Sequence, residues 1–226
     1  MPYLLLHDDM IAAALLLSFM FIVWAVARSW AFLENWCVVF FNSGRKRKKF
    51  TQHLDVQLNG CVPIVLSVSL LLGILVTSYV QHGALEVWEQ FTPQCVFAVG
   101  SGGVFAVIVL KLLLYYLVNR TFFSAEQTAE WTTAYLVTLL LEAVLLLPLV
   151  MATVYLNLPM REQEWGWWAI LIVVELVRLM KLKVTFFRGA LGYVHIFLYF
   201  CTLNLATSLI FWRLLTQIKL LLDTVK

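Results

Sequence analysis

Of the 226 residues, 62% are hydrophobic and 13% charged, against about 45–50% and about 25% in soluble domains, so water cannot be the main solvent of this chain. The formal charge of +3 is small and its basic residues are segregated, which argues against a nucleic-acid partner. Cys37, Cys61, Cys95 and Cys201 share no short metal-type spacing, so neither a zinc site nor a disulfide framework is expected.

Taken in chain order, the first apolar run covers 10–27 and is uncharged between Asp9 and Arg28. Ala25-Val26-Ala27 mimics a signal-peptidase site, but Asp8 and Asp9 stand where a signal peptide needs basic residues, so a retained span is expected. A mixed segment with Trp30 and Trp36 leads to Arg45-Lys46-Arg47-Lys48-Lys49, a run that will not cross a membrane readily. Such a cluster suits anionic lipid headgroups, with a protein partner as the other reading. A second span at 62–80 is followed by a loop with Glu86 and Glu89 but no Lys or Arg. The third, 95–118, passes Gly100-Ser101-Gly102-Gly103 and reaches Lys111 and Tyr115-Tyr116 before Arg120.

The polar stretch from Ser124 to Glu130 separates this from span four, 132–156, which holds Glu142 and Pro148. Span five, 165–182, opens on Trp165-Gly166-Trp167-Trp168 and becomes charged at Glu175, Arg178 and Lys181. Span six, 193–212, carries His195 near its start. In the tail, 213–226, Leu214, Leu215, Ile218, Leu221, Leu222 and Val225 recur at helical spacing, which predicts an amphipathic helix lying on the interface. About 20 apolar residues span the hydrocarbon core, so the expected fold is all-α: a polytopic bundle of about six transmembrane helices in one domain, 1–226. Segments 28–61, 111–131 and 178–191 carry 12 Lys and Arg and the alternate side 4, which places the first set in the cytoplasm and both termini outside, in the periplasm of a Gram-negative cell. A five-span arrangement with the tail inside is the alternative.

Four sequence elements together resemble a known family. They are the run Lys111 to Phe123, Glu142 with Leu147-Pro148-Leu149, Glu175-Leu-Val-Arg178 with its basic continuation, and Tyr199-Phe-Cys-Thr-Leu-Asn204. Over about residues 60–215 the chain is similar to multi-span inner-membrane proteins of Bacteroidota, the DUF4271 family, catalogued as a domain of unknown function. Members usually carry a Glu and a Pro after the Tyr-x-Cys-x-Leu element, where this chain has Asn204, Leu205 and Ala206, so no role can be carried over for that Glu. The resemblance implies a bacterial inner membrane and supplies no activity, cofactor or substrate.

Ionisable groups at bilayer depth are functional candidates, because each costs several kcal/mol unless paired or hydrated. Glu142 and Glu175 each lie about ten residues into their spans, about 15 Å deep at 1.5 Å per residue. Arg178 follows Glu175 by three positions and can neutralise it, and Lys111 is the expected interhelical partner of Glu142. His195 reads as an interfacial, hydrated histidine. Two readings compete: a structural lock of ion pairs, and a transport path through Glu142, Glu175 and Arg178. Near charge balance favours the lock. Gly100, Gly102 and Gly103 suggest close helix packing, and Pro148 a kink in span four. No His-Glu-x-x-His, Gly-x-Ser-x-Gly or phosphate-binding loop is present, so no catalytic residues, metal or cofactor are expected. The reading is a non-enzymatic scaffold or accessory subunit of a membrane complex, in contact with the lipid bilayer and a membrane-protein partner. A small transporter or channel is the alternative, and a lipid-modifying enzyme comes third.

Overall fold

The structure is a computed structural model and describes residues 8–41, 54–83, 92–122 and 125–186. Five helices occupy them: α1 (Asp9–Phe41), α2 (Leu54–Gly83), α3 (Pro93–Phe122), α4 (Ala125–Leu156) and α5 (Met160–Phe186). The sequence-predicted span six, His195, the basic run Arg45–Lys49 and the amphipathic tail lie outside the described residues. Each of four helices contains a stretch long and apolar enough to cross a membrane: Asp9–Ala27, Cys61–His82, Pro93–Leu117 and Ala134–Leu156. Helix α5 is 27 residues long, but Glu175, Arg178 and Lys181 break its apolar run, so it is not among the four.

The helices outrun the apolar stretches that nucleate them. At 33, 30, 30 and 32 residues, α1 to α4 reach roughly 45–50 Å at 1.5 Å per residue, against a hydrocarbon core of about 30 Å. The segment with Trp30 and Trp36 and most of the polar stretch after Ser124 are therefore helical continuations. A helix satisfies its own backbone in lipid and in water alike, so it need not stop at the interface.

Local chemistry sets the ends. Asp8 caps α1, its carboxylate accepting from the Met10 amide at 2.9 Å and its carbonyl from Ala12; Asp9 adds negative charge to the first turn. Pro93 opens α3 at a position whose missing N–H costs nothing, while the Thr92 carbonyl accepts from Cys95 and Val96. Helix α4 ends at Leu156 because Asn157 turns left-handed at φ 47°, and Pro159 then starts α5 by accepting from Glu162 and Gln163. The resulting three-residue turn forces α4 and α5 into an antiparallel hairpin.

Helix α2 is the most enclosed span and packs on α1, α3 and α4; α5 packs mainly on α4, and α3 is the least enclosed. Buried stripes at helical spacing form the seam, with Ile64, Val68, Leu71 and Leu75 on α2 facing Leu139, Ala143, Leu146 and Val150 on α4. Lipid is as apolar as leucine, so fit rather than water exclusion drives this contact. Helices α2 and α3 approach each other closely. A Cβ on Gly73 would sit 2.7 Å from Ser101 Cβ, and one on Gly100 3.2 Å from Val76 Cγ1. Gly102 and Gly103, expected to share this role, face open space instead. Buried hydroxyls satisfy themselves within their own helices: Ser18 donates to Leu15, Ser67 to Ile64, Thr77 to Gly73 and Thr153 to Leu149.

Candidate functional site: a buried charge cluster

The α4–α5 hairpin decides which side chains meet. Counting outward from Leu158 at its apex, Thr138 and Arg178 both lie 20 residues away, and Glu142 and Glu175 lie 16 and 17 away. Equal distances along antiparallel helices bring these residues level. Arg178 is buried, and each face of its guanidinium fork is used. Nη2 reaches Glu142 Oε2 at 2.7 Å, Nη1 reaches Glu175 Oε1 at 2.8 Å, and Nε donates to Thr138 Oγ1 at 3.2 Å. Thr138 gives its own hydroxyl proton to the Tyr135 carbonyl at 2.7 Å, which leaves its lone pairs turned toward the arginine. The guanidinium carbon lies 5.1 Å from the centre of the Tyr135 ring, a cation–π contact in a desolvated setting, and Tyr135 in turn meets Tyr115 of α3 at 5.1 Å.

Lys111, buried on α3, completes the group and lies within the electrostatic reach of both carboxylates and the guanidinium. Thus Lys111, Glu142, Glu175 and Arg178 converge on one site. The pairing differs in part from the sequence expectation. Glu175 and Arg178 pair as their spacing predicts, but Glu142 bonds Arg178, where Lys111 was expected. Lys111 lines the same cavity as Glu142 and adds its charge to the group. One arginine bridges both acids. Planar, bidentate donors suit this better than a point charge such as lysine.

These side chains line a partly open cavity of about 80 Å³ where α2 to α5 converge. Lys111, Tyr135, Glu142, Glu175 and Arg178 form its polar end, and Val68, Leu72, Val104, Ile108, Leu171 and Trp167 its apolar walls. Helices α3 and α5 flank it without close packing on each other among the described residues. Tyr135 and Thr138 were not singled out from the sequence, and Tyr115 only as part of the Tyr115-Tyr116 pair at the end of span three. Their signal was helical spacing: Lys111 with Tyr115 four residues on, and Tyr135, Thr138 and Glu142 on one face of α4.

The model of one family, described as a domain of unknown function (DUF4271), matches residues 11–215. The chain belongs to the DUF4271 family. The match begins well before the residues that carry the resemblance in sequence and takes in α1, so all five described helices of this DUF4271 protein are family structure. No curated protein and no solved structure matches the chain.

A second polar contact lies nearer the hairpin apex. Gln163 of the DUF4271 protein, buried on α5, accepts from Ser78 Oγ of α2 at 3.1 Å and donates to the Leu158 carbonyl at 2.7 Å. His82 Nδ1 donates to the Ser78 carbonyl at 2.8 Å. Among the described residues no three His, Cys, Asp or Glu stand close enough to hold a metal ion.

Proposed function

We propose that this DUF4271 protein is a non-enzymatic scaffold or accessory subunit of a complex in the bacterial inner membrane, with both termini on the outer side. The observation that carries this reading is the use of all three sides of Arg178: two carboxylates and a hydroxyl, drawn from α4 and α5, hold the guanidinium. A group so held is suited to fixing helix register. Breaking a buried pair of this kind is costly, whereas a proton relay or ion path needs groups that change partners readily. Formal charges in the cluster also cancel, which leaves little field to draw an ion inward.

Native membranes dissolved in mild detergent test the reading. A partner should co-purify with the full chain at fixed stoichiometry. The absence of any such partner, together with proton-coupled flux in liposomes holding the purified protein, would overturn it.

A small transporter is the second reading, and the cavity favours it. A partly open space beside Glu142 and Glu175 is what a solute would need. Its discriminating variant is Glu142→Gln, which should abolish flux while leaving the protein folded if transport is the function.

A further inference from the structure

The two carboxylates of the cluster are not equivalent. Glu175 shares a helix with Arg178 and is almost fully buried, whereas the Glu142 side chain is 21% exposed and spends only Oε2 on the arginine. Its Oε1 keeps acceptor capacity at the polar end of the cavity, which Lys111 also lines.

A cavity of about 80 Å³ has room for about two or three waters at about 30 Å³ each, or for one polar molecule of a few heavy atoms. Charge then decides which molecules can enter. Lys111 and Arg178 balance Glu142 and Glu175, so the cluster is formally neutral before anything binds. An entering cation or anion would leave one charge uncompensated among Val68, Leu72, Val104 and Leu171, which is unfavourable in an apolar setting. A neutral molecule that both donates and accepts hydrogen bonds meets no such cost.

We infer that this cavity is a binding site for water and small uncharged hydrogen-bonding solutes, seated between Glu142 Oε1 and Lys111, and that the balance of its four charges excludes ions. The inference goes beyond the scaffold reading and does not depend on it. It gives the transport reading a substrate class other than protons or metal cations.

Alkylation of single cysteines by reagents of similar size and different charge tests it. In a full-length protein whose native cysteines are replaced, Leu171→Cys lines the cavity, and Val109→Cys on the exposed face of α3 is the control. Neutral iodoacetamide should alkylate Leu171→Cys at least about tenfold faster than Val109→Cys. Relative to their rates with free cysteine, anionic iodoacetate and cationic bromoethylammonium should each lag about tenfold, the factor that about 1.4 kcal/mol of charge exclusion gives.

Shifting the balance should then admit one sign. Glu142→Gln leaves an excess positive charge and should raise the iodoacetate-to-iodoacetamide ratio about tenfold; Lys111→Met leaves an excess negative charge and should do the same for bromoethylammonium. Either variant suffices if the other fails to fold. Equal rates at Leu171→Cys and Val109→Cys would show a dry cavity, and ionic reagents that match the neutral one would remove the charge rule. Either result overturns the inference, and both leave the scaffold test by co-purification intact.

Discussion

Arg178 joins α4 to α5 through three contacts, and its removal takes the bridging cation from between two carboxylates in the bundle interior. Arg178→Met should destabilise the protein by about 3 kcal/mol, the usual penalty for stranding one side of a buried pair. Thermal unfolding in one detergent, or proteolysis in bilayers, measures it. Arg178→Lys keeps the charge but cannot reach Glu142 Oε2, Glu175 Oε1 and Thr138 Oγ1 together, since one ammonium replaces a three-sided fork. It should recover only part of the loss, leaving about 1–2 kcal/mol. A full rescue by lysine would mean that net charge alone matters and that the geometry of the fork does not. The acids themselves were legible in the sequence, as ionisable residues in apolar runs must be. What depth alone could not supply was the partner of Glu142. Depth ranked Lys111 first, whereas register counted from the Asn157–Pro159 turn ranks Arg178 first.

Helix contact in this protein depends on a few positions where a side chain has no room. At Gly73 a methyl group would meet Ser101 Cβ at 2.7 Å and its Cα at 3.0 Å, and backbone cannot step aside. Gly73→Ala should therefore cost about 1–3 kcal/mol by forcing α2 and α3 apart. Gly102→Ala and Gly103→Ala meet nothing within 4 Å, and each should be neutral or should stabilise by up to about 1 kcal/mol through helix propensity. Unfolding temperatures of the three variants, compared side by side, check the assignment; a loss at Gly102 equal to that at Gly73 would place the helix contact on the wrong face. The small-residue patch was visible in the sequence, but which of its members touch was not, because Gly100 to Gly103 cover all sides of one turn. Gln163 escaped notice for a related reason. It lies just before the tryptophan anchor and reads as an interfacial polar residue until its partner, Ser78, is known. Gln163→Leu removes both of its bonds and should cost about 1–2 kcal/mol, read out again as unfolding temperature.

At the scale of the molecule, two kinds of evidence bear on how the chain sits in a membrane. Hydropathy finds four crossing stretches, in Asp9–Ala27, Cys61–His82, Pro93–Leu117 and Ala134–Leu156, and passes over α5. Composition penalises α5 for Glu175 and Arg178, yet these charges are buried against α4 and cancel locally, so they do not bar a helix from bilayer depth. A tight three-residue turn further ties α5 alongside α4. If α5 crosses antiparallel to α4, Asn157 lies on one side of the membrane, and Arg120 at the end of α3 on the other. In the proposed topology the segments 111–131 and 178–191, with their 2 and 4 Lys and Arg, face the cytoplasm. Asn157→Cys should then react with a membrane-impermeant maleimide added to intact spheroplasts, while Arg120→Cys reacts only after permeabilisation. The opposite pattern would invert the topology. Reaction of both from one side would mean that the stretch Ala134–Leu156 does not cross, and the hairpin register that brings Glu142, Thr138, Glu175 and Arg178 together would then operate outside the hydrocarbon core.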